Sequence, residues 1–142
     1  MLIESYDEAA RVRNLILLLS QEDSMKRDDD LIRRLMFEIE ANPDPISLLG
    51  LTHDMEPDER IEYYHLKLLA DEGMLEESGK TGGVWRMTMK GHDFVAVVRD
   101  DTIWNRSKGA LASVGGFTVS MLKDVATGYV RQKLIENGVP LS

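Results

Sequence analysis

The feature of this sequence that most constrains its fold is a change of hydrophobic period at Gly73. Residues 57–72 carry apolar side chains at helical spacing, with Pro57 suited to the first turn of a helix and Gly73 to its end. Beyond a glycine-rich turn at residues 79–83, residues 84–89 place large apolar side chains at every second position. The sequence therefore predicts a helix followed directly by a β-hairpin with one buried face. The apolar helix positions expected to face the core are Ile61, Tyr64, Leu66, Leu68 and Leu69.

The segments on either side of this unit predict further helices and one strand. Residues 28–42 begin with three aspartates, which suit the positive end of a helix dipole, and they end at Asn42-Pro43. The short apolar run at residues 46–51 suits a buried strand better than a helix of that length, and residues 91–104 favour another helix. This order of elements predicts an α+β fold that is mainly helical.

The two ends of the chain extend beyond this unit, which we place at residues 25–106. Residues 1–24 are expected to form an N-terminal helical extension, with a helix over residues 5–19. Residues 107–142 are expected to form a linker and a C-terminal helix, because Gly115-Gly116 precedes a helical pattern over residues 118–137. The apolar stripe of that helix suits docking or dimerisation, and packing on its own body explains it equally well. The candidate oligomerisation residues are Leu122, Val125, Tyr129 and Leu134.

Composition and charge exclude several classes of protein. The chain has no cysteine, which excludes disulfides, thiolate zinc sites and cysteine nucleophiles. Its longest wholly apolar run, residues 15–19, is far shorter than the ~20 residues of a membrane-spanning helix, and acidic residues ahead of it argue against a secretory signal. A cytoplasmic protein that does not associate with a membrane is expected. The net charge is −8, and residues 25–100 hold seventeen acidic against ten basic groups.

Two stretches resemble known families. The order helix, short strand, helix ending at Gly73 and hairpin is that of a winged helix, and residues 64–75 (YHLKLLADEGML) resemble the recognition-helix signature of bacterial winged-helix repressors. A longer resemblance, carried by residues 25–28 (MKRD), by residues 64–66 with Gly73, by residues 88–94 and by residues 99–104 (RDDTIW), is to an uncharacterised family of small phage and prophage proteins. The resemblance implies a winged helix-turn-helix domain in a phage-like context, without an established activity. Members of that family commonly begin at the equivalent of Met25, so residues 1–24 depart from its pattern.

DNA is the first candidate partner that the winged-helix resemblance implies. In this fold an exposed helix face enters the major groove and the wing touches the backbone, while Lys and Arg neutralise phosphates. The acidic residues around the start of the helix would instead repel phosphates. The candidate DNA-binding residues are Arg60, Tyr63 and Lys67 on the helix, and Lys80 and Arg86 on the wing.

Catalysis and metal binding are not expected. Residues 78–81 contain the Gly-Lys-Thr end of a phosphate-binding loop, but Met74 stands where that loop needs a glycine, and a strand follows instead of a helix. His53, His65 and His92 lie in different elements without the spacing of metal ligands, and His65 is expected to be hydrogen-bonded near the core. No nucleophile motif or distinctive carboxylate pair stands out, which predicts a protein that is not an enzyme and holds no cofactor.

Two functions remain as hypotheses. The leading one is a phage-type winged-helix regulator or accessory protein that binds DNA as a homodimer. The alternative uses the same scaffold as an acidic protein–protein interaction module, which would dock on a basic host or phage protein or occupy a nucleic-acid-binding groove as a charge mimic.

Overall fold

The computed structural model describes residues 8–15 and 24–141. Residues 8–15 are helical, and the remainder of the helix predicted over residues 5–19 lies outside the described residues. The rest of the fold is α+β and mainly helical, as predicted. None of the helices in these ranges combines the length and the hydropathy that crossing a membrane requires. The elements in chain order are α1 (Asp29–Ala41), β1 (Ser47–Leu48), α2 (Pro57–Asp71), β2 (Leu75–Ser78), β3 (Val84–Met87), α3 (Met89–Val98), α4 (Asp101–Ala112) and α5 (Val119–Glu136).

The first residues of α1 are fixed by Asp28 and by a histidine of α2. The Asp28 side chain caps the helix by accepting a hydrogen bond from the Leu31 N–H at 3.1 Å. The Asp28 N–H donates to Nε2 of His65 at 2.9 Å, and Nδ1 of the same ring lies 2.8 Å from the Ile61 carbonyl oxygen. These contacts favour the tautomer with hydrogen on Nδ1. His65 is fully buried, so the expectation of a hydrogen-bonded core histidine is confirmed.

The predicted exit from α2 at Gly73 has the geometry of a Schellman motif. Gly73 adopts φ 75°, and the N–H groups of Gly73 and Met74 donate to the carbonyls of Ala70 and Leu69, both at 2.9 Å. The chain then forms the predicted hairpin, in which β2 and β3 pair antiparallel with Leu75 opposite Met87. β1 pairs with the other side of β3, which gives a three-stranded sheet of order β1-β3-β2.

Residues 49–56 connect β1 to α2 as a loop, with a turn at His53 and Asp54. The buried side chain of Met55 anchors this loop in the molecule. A helix-turn-helix has a further helix directly ahead of its recognition helix, and residues 49–56 contain none. The predicted order of helix, strand, helix and hairpin is present as α1, β1, α2 and β2–β3, without a further helix between β1 and α2.

The prediction of a single helix over residues 91–104 is wrong, because two helices form there. α3 begins at Met89, earlier than predicted, because Thr88 caps it by accepting from the Gly91 N–H at 3.1 Å. Asp100 then caps a new helix, α4, by accepting from the Ile103 N–H at 3.0 Å. An aspartate in extended backbone competes in this way with continuation of the preceding helix. α4 runs to residue 112 and so crosses residue 106, where the sequence suggested the end of the main unit.

One hydrophobic core joins the helices and the sheet. Its largest buried side chains are Trp85 of β3, Phe94 of α3 and Trp104 of α4. α3 packs so closely on the hairpin that a Cβ placed at Gly91 would lie well inside van der Waals contact of the Met74 carbonyl oxygen. This close approach fixes the hairpin relative to the helical body.

Candidate interaction surface

The outward side of α2 is defined by the residues that it buries. His65, Leu66 and Leu69 are buried, and Arg60 and Lys67 lie on the opposite side of the helix and are exposed. Tyr64 was expected in the core, but it stands two residues before Leu66, about 200° around the helix, and its exposed fraction is 38%. The helix therefore presents Tyr64 together with the two cations to solvent.

Tyr63 packs against the hairpin, which we call the wing, instead of facing solvent. Its ring meets the Trp85 ring edge-on, with ring centroids 6.0 Å apart and planes at 74°. The side chain is half-buried and belongs to the group that packs on the core. This packing corrects the expectation that Tyr63 is an outward-facing contact residue, since it braces α2 against β3.

Lys67, a candidate phosphate contact, is held by a carboxylate of the wing. Its Nζ lies 2.6 Å from Oε1 of Glu77, and Oε2 of Glu77 accepts from the Gly83 N–H at 3.0 Å. The Lys67 ammonium, with a smaller contribution from the Gly83 N–H, lowers the pKa of Glu77 below its usual range. Glu77 in turn raises the pKa of Lys67. The lysine therefore helps to fix the wing turn to α2.

The other wing cations differ from each other. Arg86 lies opposite Glu76 in the β2–β3 register, and its guanidinium is 3.0 Å from Oε2 of Glu76. Lys80, at the tip of the wing, is exposed and forms no ion pair with any residue in the range 24–141. Glu76 and Glu77 were not predicted as partners of the candidate cations, although the register of the hairpin places Glu76 opposite Arg86.

Carboxylates outnumber cations on α2 and the wing. Residues 56–87 carry eight acidic and four basic side chains. Three of the eight acidic groups are in ion pairs, one of them Glu62 with Arg34 of α1 at 2.9 Å. The remaining five are exposed and form no ion pair within the described part of the chain. Three of them, Glu56, Asp58 and Glu59, stand at the start of α2, and we call these three the acidic face. Asp71 and Glu72 lie at the other end of the helix, about 20 Å away.

A group of exposed apolar side chains lies just ahead of the acidic face in the chain. Ile46, Leu48 and Leu51 are exposed at 45%, 76% and 60%. The backbone that carries them is tied to the wing, because the Leu49 N–H donates to the Gly83 carbonyl oxygen at 2.9 Å. We call these three residues the apolar ridge. The sequence had assigned their run to a buried strand, and only two of its residues form β1.

α5 packs on its own body over the first part of its length. Leu122 is buried at 1% exposure, and Val125 and Tyr129 are half-buried against the core. Leu134 is exposed at 39%, as is its neighbour Ile135 at 55%. Among the candidate oligomerisation residues, therefore, only Leu134 presents a substantial surface to a second copy. Dimer formation stays a prediction.

The start of α1 and the start of α4 meet in a junction built from charged side chains. Oδ1 of Asp30 accepts from Nζ of Lys108 at 2.6 Å and from Nε1 of Trp104 at 2.8 Å. The Lys108 hydrogen bond, followed by that of Trp104, lowers the pKa of the Asp30 carboxyl. Residues 25–28 and 99–104, which carry the family resemblance, flank this contact.

Arg33 completes this junction, which we call the α1–α4 junction. Its guanidinium donates to the carbonyl oxygens of Val98 and Arg99 at 2.8 and 2.9 Å, and to Oδ1 of Asp101 at 2.8 Å. It also stacks on Phe37, 4.7 Å from the ring centroid. Arg33 thus caps the end of α3 at the point where α4 begins. Residues 99–104, which carry part of the family resemblance, therefore lie at a contact that stabilises the fold.

Fold and surface together define a small α+β domain, mainly helical, that displays an acidic face. The chain belongs to the family described as "Hypothetical protein (DUF2513)", which matches residues 26–118. It is also 28% identical over 117 residues to an uncharacterized protein of Haemophilus influenzae (strain ATCC 51907 / DSM 11121 / KW20 / Rd), an alignment covering 78% of this chain and 99% of that protein. No solved structure matches it. The expected membership of an uncharacterised family is confirmed.

Proposed function

We propose that the protein is a non-catalytic winged-helix module that docks on a basic protein segment through its acidic face. In this assignment α1, β1, α2 and the wing form the winged-helix unit, with the loop at residues 49–56 in place of its second helix. The observation that carries the proposal is the unequal pairing of charges. Lys67 and Arg86 are held by wing carboxylates, whereas the acidic face is left without cations inside residues 24–141.

The electrostatic consequence is a negative potential where a winged helix would meet DNA. Exposed charges act over about 8 Å at physiological ionic strength, so the acidic face repels phosphates that approach α2 and attracts Lys and Arg side chains. A basic protein segment is therefore the partner that its charge favours, and the resemblance implies a host or phage protein as its source.

The test uses a fluorescein-labelled oligolysine peptide as the probe. We expect it to bind the native chain with an affinity that falls as salt is raised from about 50 to about 300 mM. The double variant Asp58→Asn/Glu59→Gln should bind several-fold more weakly, since it removes two charges of the acidic face. The matched control Asp124→Asn/Glu136→Gln removes two exposed carboxylates of α5 and should bind like the native chain.

Equal losses in the two double variants would mean that the peptide responds only to net charge, and the docking proposal would fail. Absence of any oligolysine binding at low salt would overturn it as well. Circular dichroism of all three proteins confirms that the comparison is made between folded chains.

DNA binding is the second candidate function, and one observation favours it. Lys80 stands exposed at the wing tip, where a winged helix touches the DNA backbone, and Arg60 is exposed on the outward side of α2. Arg60 makes one hydrogen bond, from Nε to the Met55 carbonyl oxygen at 3.4 Å, which leaves most of its donors available. Of the four cations of α2 and the wing, these are the two that could neutralise phosphates without first breaking an ion pair.

A duplex-binding assay separates this candidate from the first. With micromolar protein at about 100 mM salt, where non-specific binders begin to bind, DNA binding requires a salt-sensitive shift that Arg60→Ala/Lys80→Ala weakens. The control Arg131→Ala removes an exposed cation of α5 and should leave the shift unchanged. Failure to bind duplex at this and at lower salt eliminates the DNA function, whereas duplex binding without oligolysine binding eliminates the first proposal.

A further inference from the structure

The two leucines of the apolar ridge expose more than half of their side chains to solvent. β1 is two residues long, and Leu48 lies opposite Val84 of β3 in an antiparallel register. Alternation along a strand turns Ser47 towards the interior and Leu48 away from it. Leu48 is consequently exposed at 76% and Leu51, three residues later, at 60%.

The backbone beneath the ridge is held rigidly. The Leu49 carbonyl oxygen accepts from Nε1 of the buried Trp85 at 2.9 Å, and the Leu49 N–H donates to the Gly83 carbonyl oxygen. Gly50 and Gly83 approach so closely that a Cβ on Gly83 would lie 2.7 Å from Cα of Gly50. Because these contacts hold the main chain directly after Leu48, little backbone entropy is left to lose there when a partner covers the ridge.

The ridge and the acidic face are neighbours along the chain. Glu56 follows Leu51 by five residues, and Asp58 and Glu59 come directly after it at the start of α2. The buried Met55 ties the intervening loop to the body directly ahead of Glu56. Because five residues of chain can span no more than about 18 Å, Leu51 and the start of α2 lie within the reach of one bound peptide segment.

We propose that the occupant of this surface is an amphipathic basic segment of another protein, with apolar side chains on the ridge and Lys or Arg side chains on the acidic face. The inference rests on the proposed function and adds the apolar half of the recognition. Charge complementarity selects this occupant. A second copy of the chain, with its net charge of −8, and an anionic lipid surface would both bring further negative charge to this surface and are disfavoured.

The experiment compares two labelled peptides of equal charge: oligolysine, and a peptide in which Leu and Lys follow a helical amphipathic pattern. We expect the native chain to bind the Leu/Lys peptide about tenfold more tightly, as burial of the ridge side chains would give. The variant Leu48→Ser/Leu51→Ser should lose this preference and keep its oligolysine affinity. The control Met89→Ser/Val114→Ser changes side chains of similar exposure, 75% and 68%, away from the ridge and should keep the preference.

The outcomes separate the two proposals. If Leu48→Ser/Leu51→Ser keeps the preference, or if the Met89/Val114 control loses it equally, the ridge is not the docking surface and the inference is overturned. In that case oligolysine binding that still depends on Asp58 and Glu59 leaves the proposed function in place. Absence of binding by either peptide overturns both.

Discussion

The α1–α4 junction and the acidic face are both built from charged residues, but those of the junction are paired and those of the acidic face are not. In the junction, Asp30 and Arg33 each contact several groups of another helix, among them backbone carbonyls, an indole N–H and a carboxylate. On the acidic face, Glu56, Asp58 and Glu59 contact no cation within the described residues. Charges that satisfy polar groups between elements stabilise a fold, whereas charges that face only water contribute little to its stability and stay accessible.

Burial explains why charged side chains in the two regions contribute differently to the free energy of unfolding. The Arg33 side chain is exposed at only 14%, whereas Arg34, its neighbour in sequence, is exposed at 55% and pairs with Glu62 in solvent. Water and salt screen an exposed pair, so its net contribution is about 0–1 kcal/mol. The comparison therefore predicts large stability effects in the junction and small ones on the acidic face.

The largest effect is expected at Trp104, which anchors the junction. Trp104→Ala leaves a cavity in the core and removes the donor to Asp30, and it should lower the free energy of unfolding by about 3–5 kcal/mol. Trp104→Phe keeps most of the packing and should cost about 1–2 kcal/mol, mainly through the lost hydrogen bond. Urea unfolding measures both, with Leu48→Ala as a surface control that should change stability by less than about 0.5 kcal/mol. A Trp104→Ala protein as stable as the control would refute the structural role of the junction.

A smaller but still clear effect is expected at Arg33. Arg33→Ala leaves the carbonyls of Val98 and Arg99 without their donor and should cost about 2–3 kcal/mol. Arg33→Lys should recover only part of this, because an ammonium lacks the planar fork that reaches several acceptors at once. Arg34→Ala, one residue away, should cost no more than about 0.5 kcal/mol. Similar losses at the two arginines would remove the distinction between the junction and the surface.

Much of the fold could be predicted from local sequence signals, and the missed parts depend on contacts between distant elements. Asp28 and Gly73 mark α1 and α2 because capping is a property of a few adjacent residues. The break between α3 and α4 was missed because no glycine or proline marks it. The break is marked only by Asp100, which caps α4, and by Arg33, which donates to the carbonyl oxygens of Val98 and Arg99 at the end of α3.

The candidate site was predicted less well, for the same reason. The acidic character of α2 is visible in composition, and it raised the protein-binding alternative from the sequence alone. The pairing of Lys67 with Glu77 joins a helix to a strand and has no local signal. The sequence predicted Tyr64 in the core and Tyr63 on the surface, and the structure has the reverse. Both residues fit a broad apolar stripe, and only the contact of Trp85 with Tyr63 determines which of the two rings is packed against the body.

An intermediate case is Glu77, a wing carboxylate that is both paired and mostly covered. Lys67 and the Gly83 N–H lower its pKa in the folded state, so its contribution to stability is present above its unfolded pKa, about 4.3, and is lost as pH falls through the folded value. Glu77→Gln should therefore cost about 1 kcal/mol near neutral pH, and the difference from the native chain should vanish in acid. Thermal unfolding of both proteins across acidic and neutral pH measures this. The control Glu76→Gln, whose side chain is exposed at 60%, should show a smaller difference at neutral pH.

The smallest effect is expected on the acidic face itself, and it is the sharpest test of the comparison. Asp58 and Glu59 lie in the first turn of α2, where the helix dipole favours negative charge by about 0.3–1 kcal/mol, but they also repel each other and Glu56. Because these contributions oppose, Asp58→Asn/Glu59→Gln should change the free energy of unfolding by less than about 0.5 kcal/mol. High salt should reduce even that difference, since it screens both contributions. A loss above about 1 kcal/mol that persists in high salt would show that the acidic face holds the fold, as the junction does, and would leave no reason to reserve it for a partner.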